Sequence, residues 1–250
     1  MRYPIHVDGH FLTEPVPELL QKHKLLTVPF IIGVNNHEGG FVVGDVSYKC
    51  LITEGGFLLF CYFIIAAIGD LIVTTYVGSG ENRIRNRDGY TEFIGDFLFS
   101  TPAVKVVNAH RDAGADVFLY EYHHAPKFQK KRRPSFVKCD HLDEVFMVQG
   151  YSCVFFQMAS LLISDACPEE EEEFSKIMMN YWGNFARTGS PNGDGLVNWP
   201  KYGEEEKYLS LDLKEQVSGH SLKKDRFVFL TQTLPEKIKK LKEKVEHSEL

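Results

Sequence analysis

Two side chains of the 250-residue sequence stand where acid–base chemistry can be done, Glu38 and His141. Glu38 closes the segment Asn35-Asn36-His37-Glu38 and is followed by Gly39 and Gly40. The apolar run before it reads as a buried strand. In open α/β sheets, ligand and catalytic groups collect beyond the carboxyl ends of strands, so a carboxylate here is well placed. A Glu beside two glycines reads equally well as a loop residue. His141 lies among three carboxylates in Asp140-His141-Leu142-Asp143-Glu144. That setting suits a general base, a metal ligand or a residue at a helix start, and spacing does not choose between them.

The elements that would carry these groups follow from periodicity. Thr27 to Asn35 is nearly continuously apolar, which predicts a strand buried on both faces with Pro29 near its start. Val117 to Tyr122, rich in aromatic and β-branched residues, predicts a second strand. Between them Glu92 to Ala109 has helical spacing, with Pro102 as a break or a first-turn residue. Phe174, Ile177, Met178, Tyr181, Trp182 and Phe185 make one apolar helix face,. The acidic run Glu169 to Glu173 fits a solvated helix start and Gly189 its other end. Thr233-Leu234-Pro235-Glu236 has a capping-box pattern opening a last helix marked by Leu234, Ile238, Leu241 and Val245.

Composition sets the class. With 44% hydrophobic and 25% charged residues the chain is globular, and its length allows a large core,. A formal net charge of -6 gives no electrostatic reason to expect nucleic acid,. The five cysteines, Cys50, Cys61, Cys139, Cys153 and Cys167, contain no C-x-x-C pair or metal-ligand spacing, so no metal or redox cofactor is indicated,. Phe57 to Gly69 is apolar throughout but too short to span a bilayer before Asp70, which argues against membrane association,. Tyr151 to Cys167 is apolar, cysteine-bearing and without turn chemistry. The amino terminus has no secretory leader pattern. The carboxyl terminus, His247-Ser248-Glu249-Leu250, is a variant of the retrieval tetrapeptides read by a receptor in the secretory pathway,. That mismatch predicts that the amino-terminal part of a longer protein is missing.

An acid at 38 followed by a base at 141 matches the last two places of the Ser, Asp or Glu, His order found along serine hydrolases of the α/β-hydrolase type. The nucleophile should come first in that order. No serine lies in G-x-S-x-G: Gly150-Tyr151-Ser152-Cys153-Val154 fails at its last place, and Ser190 stands one place early between Gly189 and Gly193. No HGGG-type oxyanion loop occurs either.

The chain resembles the carboxyl-terminal half of type-B carboxylesterases, the group that includes the cholinesterases, and most closely the carboxylesterase 2 branch. The resemblance rests on Val7-Asp8-Gly9, on Val28 through Glu38, on His110-Arg111-Asp112-Ala113-Gly114-Ala115, on Asp140 through Glu144 and on Tyr181 through Gly193. These come in family order with Trp199-Pro200 and the terminal tetrapeptide behind them. It implies the carboxyl-terminal portion of an α/β-hydrolase fold, a partial parallel sheet with packed helices, over residues 1–250. It also implies Glu38 as triad acid, His141 as general base, small-molecule esters or amides as substrates of the complete protein, and residence in the endoplasmic reticulum lumen. Three departures stand out. Leu142 occupies a place usually held by a small residue and is expected to crowd the base, residues 42–68 have no family counterpart, and residues 151–167 replace the usual segment.

Overall fold

A computed structural model describes residues 6–45, 66–78, 82–130, 132–150 and 168–248. In chain order the elements are α1 (Val16–Gln21), β1 (Phe30–Asn35), α2 (Gly40–Asp45), α3 (Ala66–Tyr76), α4 (Arg83–Gly95), α5 (Thr101–Asp112) and β2 (Val117–Tyr122). They continue with α6 (Lys127–Lys130), α7 (Asp143–Val148), α8 (Glu169–Thr188), β3 (Lys207–Leu211), β4 (Gln216–His220), α9 (Lys224–Val228) and α10 (Leu234–Ser248). The sheet order is β1-β2-β3-β4. β1 runs parallel to β2 with Phe30 opposite Val117 and Asn35 opposite Tyr122, and β2 runs parallel to β3 with Tyr120 opposite Leu209. β4 is antiparallel to β3, so the expected parallel sheet is a mixed one closed by a hairpin.

Strand β2 shows why this sequence makes a two-faced sheet. All six of its residues are buried. Phe118, Tyr120 and Tyr122 point to one side, where they meet Phe174, Met178 and Tyr181 of α8, with Trp199, Leu209 and Leu211. Val117 and Leu119 point to the other, where Ala103, Val104 and Val107 of α5 cover them together with Val34 of β1. A period of two with apolar residues on both faces needs a helix on each side. Trp199 is fully buried, donates its indole N–H to the Leu119 carbonyl at 2.9 Å, and is held at its own backbone by both ends of the Asn192 amide. The segment from Tyr181 to Trp199 thus closes one face of the core.

Several expectations need correction. β1 begins at Phe30, after Pro29, because its first ladder donor is the Phe30 N–H to the Asp116 carbonyl. Through Gly33 it is only part-buried. The helical stretch expected from Glu92 starts earlier, at Arg83, and is capped by Asn82, whose side chain accepts from the Ile84 and Arg85 N–H groups. It runs without interruption through a π-helical turn, Asp96–Ser100, into α5, with Pro102 in the first turn of α5. Thr233 caps nothing: α9, a second π turn at Phe229–Thr233 and α10 form one helical run through it. The acidic run of α8 is not wholly solvated, since Glu171 is buried.

A third cluster joins Ile72 and Tyr76 of α3, Tyr90, Phe93 and Ile94 of α4, and Phe229, Leu230 and Leu234. Val43 and Ile68, at the two ends of the stretch without family counterpart, are buried in it. Residues 46–65 within that stretch, the whole of 151–167, and the terminal Glu249 and Leu250 lie outside the described residues. No helix among the described residues is long and apolar enough to cross a membrane.

Candidate active site

Glu38 and His141 come from separate turns beyond the carboxyl ends of β1 and β2. The β1 turn is held tightly against its neighbours. A Cβ on Gly39 would lie 2.2 Å from the Thr91 carbonyl oxygen, and one on Gly40 would lie 2.7 Å from Asp140 Oδ1. Only glycines let this backbone come so close. The His37 N–H donates to the Cys139 carbonyl at 3.0 Å, which ties the Glu38 turn to the segment leading to His141.

Across a sequence separation of 103 residues, His141 Nδ1 lies 2.7 Å from Glu38 Oε2. The other carboxylate oxygen, Oε1, accepts the Asn35 N–H at 2.7 Å. Glu38 is buried, while the His141 side chain is one-third exposed. With a carboxylate at Nδ1, that nitrogen carries the proton and Nε2 is the ring's basic lone pair. Among the described residues Nε2 has no hydrogen-bond partner. Phe99, in the π turn, and Phe41 place their rings 4.5 and 5.3 Å from the imidazole, which fixes its plane in an apolar setting.

The surrounding shell is acidic and closely bonded. Asp140 Oδ1 accepts the N–H groups of His141 and Phe41, both at 2.9 Å. Asp143 Oδ2 accepts the Asp140 N–H at 2.8 Å, and the Arg133 guanidinium grips both oxygens of the same carboxylate at 2.6 and 3.1 Å. The Asn35 amide donates to the Asp140 carbonyl at 2.7 Å and to Glu144 Oε2 at 2.5 Å, so the last residue of β1 pins both turns. Burial pushes the Glu38 carboxyl above its ordinary range, and the Asn35 N–H and His141 pull it part of the way back,. Burial likewise raises Asp140, Asp143 and Glu144. The His37 imidazole is pushed down to about 4, first by burial and then by Lys138.

Leu142 does not crowd the base. It is 52% exposed, and its peculiarity is a left-handed backbone with φ 72°. The Cys139 thiol is buried and pushed well up, so it is inert as a nucleophile,. Strand ends and chain order singled out Glu38 and His141 but gave no role to Asn35, Asp140, Phe41, Phe99 and Arg133, which position them. Asn35 left a trace in sequence as a polar residue ending an apolar strand, and Asp140 as a carboxylate beside the base.

An imidazole with one nitrogen held by a carboxylate and the other unbonded can serve as a general base, the carboxylate orienting the ring and stabilising the imidazolium that forms. The model of the Carboxylesterase family matches residues 1–230. Carboxylesterase 5A of Canis lupus familiaris is 37% identical over 235 residues, covering 92% of this chain and 40% of that protein. Liver carboxylesterase of Sus scrofa is 34% identical over 261 residues, covering 99% and 44%. Acylcarnitine hydrolase of Mus musculus is 38% identical over 249 residues, covering 96% and 43%. The chain therefore spans less than half the length of these relatives. On this match, and with a sheet and helices of the α/β kind, the chain belongs to the carboxylesterase family.

Proposed function

We propose that the complete protein hydrolyses carboxylic esters through an acyl-serine intermediate, and that this chain supplies the acid, Glu38, and the general base, His141. The observation that carries the reading is the 2.7 Å contact between His141 Nδ1 and the buried Glu38 carboxylate, with Nε2 unpartnered among the described residues. In this reading Nε2 takes the proton of an attacking serine and returns it to the leaving alcohol, while Glu38 holds the tautomer and stabilises the imidazolium. Small-molecule esters or amides are the substrates. The serine comes from outside these 250 residues, which contain no G-x-S-x-G,. The tetrapeptide His247-Ser248-Glu249-Leu250 supports, as part of this reading, residence of the complete protein in the endoplasmic reticulum lumen through a retrieval receptor,.

A fluorophosphonate probe tests the reading. The 250-residue chain is expected to stay unlabelled, whereas a longer gene product with an upstream G-x-S-x-G segment is expected to label and to lose labelling on His141→Ala. Stoichiometric labelling of the 250-residue chain, abolished by His141→Ala, would show that it holds its own nucleophile. The missing elbow also favours a second reading, a non-catalytic binding protein on this fold. That reading wins if the longer product has no such serine.

A further inference from the structure

Behind the turns that carry Glu38 and His141 lies a cavity of about 550 Å³, a size typical of small-molecule sites,. Neither Glu38 nor His141 lines it. Asn36 and Cys139 do, each two residues from one member of the pair. Its lining divides by chemistry. Ala125, Val137 and Leu213 give it an apolar wall. Its charged residues are three lysines, Lys130, Lys138 and Lys214, against one carboxylate, Asp212. Elsewhere in the chain lysines close on carboxylates, as in Lys201 with Asp116, Lys223 with Asp96, and Lys224 with Glu206. Among the described residues the three around this cavity have no such partner, and Asp212 Oδ1 already accepts the Lys214 backbone N–H at 3.2 Å. The half-buried His123 adds a polar group committed to its own neighbours, with Nε2 3.0 Å from Glu121 Oε2 and Nδ1 2.9 Å from the Asn36 amide nitrogen.

We propose that this cavity binds a small organic carboxylate, with the anion among the ammonium groups of Lys130, Lys138 and Lys214 and the hydrocarbon body against Ala125, Val137 and Leu213. An apolar wall beside a surplus of cations suits that class better than a neutral ligand, which leaves the lysines unused, or a bare inorganic anion, which leaves the wall unused. The inference goes beyond the hydrolytic reading and holds whether or not the chain takes part in ester cleavage, because neither catalytic candidate touches the cavity.

The test uses the 250-residue chain at near-neutral pH and low salt, titrated with hexanoate and followed by NMR at the His123 ring and the Lys138 backbone amide. Saturable shifts at both are expected, with hexanamide and inorganic phosphate each binding about tenfold more weakly or worse. The combined variant Lys130→Gln, Lys138→Gln, Lys214→Gln, altered only at exposed positions, is expected to weaken hexanoate at least roughly tenfold while the rest of the spectrum is unchanged. Equal binding of hexanamide would overturn the proposal in favour of a plain apolar cleft, and equal binding of phosphate in favour of an unselective anion site. No saturable shift, or binding indifferent to the triple variant, would overturn it outright.

Discussion

Two imidazole–carboxylate pairs in this protein have nearly the same bond and opposite surroundings. His141 Nδ1 meets Glu38 at 2.7 Å, and His124 Nε2 meets Glu171 at 2.9 Å. The first imidazole is one-third exposed, whereas the second is 8% exposed and its carboxylate 4%. Glu171 also accepts the Lys127 N–H at 2.8 Å, and the His124 ring packs edge-on to Phe174 of α8. The second pair therefore fastens the end of β2 and the start of α6 to the first turn of α8. A histidine paired with a carboxylate is thus no site in itself. What distinguishes His141 is the pairing through Nδ1, an Nε2 without a partner among the described residues, and a place at the mouth of two turns.

The largest effects should separate the two pairs by the quantity they move. In a longer, active gene product, Glu38→Gln or His141→Ala is expected to lower kcat by roughly 10⁴-fold, and Glu38→Gln to change the unfolding free energy by no more than about 1 kcal/mol. The small stability cost follows because a neutral amide relieves the burial that pushes the Glu38 carboxyl up. Glu171→Ala is expected to do the reverse, costing about 2–4 kcal/mol by leaving His124 and the Lys127 N–H buried without their acceptor. The kcat of the folded fraction should stay within about threefold of the parent. Urea unfolding and steady-state kinetics on both sets decide it, and a Glu171 variant that loses turnover at full stability would erase the distinction.

How much of this was legible in the sequence depends on how local the cause is. Strand β2 and the apolar face of α8 could be read because burial imposes a period that the residues record. The β3–β4 hairpin went unread although Leu209, Leu211 and Leu213 alternate, since both strands are short and largely part-exposed. The π turns left no trace, because an extra residue in a helical turn is settled by packing, here by Phe99 reaching His141,. Glu38 and His141 were legible as candidates from strand ends and chain order. The Asn35 bridge and the Arg133 grip on Asp143 were not, since they join residues 109 and 10 positions apart through side chains alone.

His37 offers a sharper contrast, an imidazole held neutral by burial rather than paired with an acid. Its folded value of about 4 lies below the ordinary 6.5, so between those values the unfolded chain binds more protons than the native one,. The stability from keeping it neutral is complete above pH 6.5 and is lost as pH falls towards about 4. The raised carboxyls of Glu38, Asp140, Asp143 and Glu144 act in the other direction. They hold protons in the native state above their ordinary values, so their effect lowers stability as pH rises through that range,. His37→Gln is expected to remove about 2–3 kcal/mol of the acid-side loss between pH 6.5 and 4 and to leave the opposing carboxyl trend exposed. Urea midpoints across that range measure it, and an unchanged slope would mean that His37 titrates normally.

The smallest effect concerns the residue beside the base. Leu142 sits at φ 72° and ψ 4° as the chain enters α7, a left-handed conformation that costs a residue with a Cβ about 1–2 kcal/mol,. Its side chain is half exposed, so shortening it forfeits little burial. Glycine removes the strain but adds freedom to the unfolded chain worth about 0.4–1 kcal/mol, which leaves a net gain of roughly 0.5–1 kcal/mol for Leu142→Gly. Alanine keeps the Cβ and the strain, so Leu142→Ala should gain nothing. In an active longer product, turnover of the glycine variant should be equal or higher, because the relaxed turn still presents the Asp140 carboxylate to the His141 N–H. If glycine and alanine shift the urea midpoint alike, the backbone at 142 is unstrained, and the leucine there is simply a tolerated surface residue.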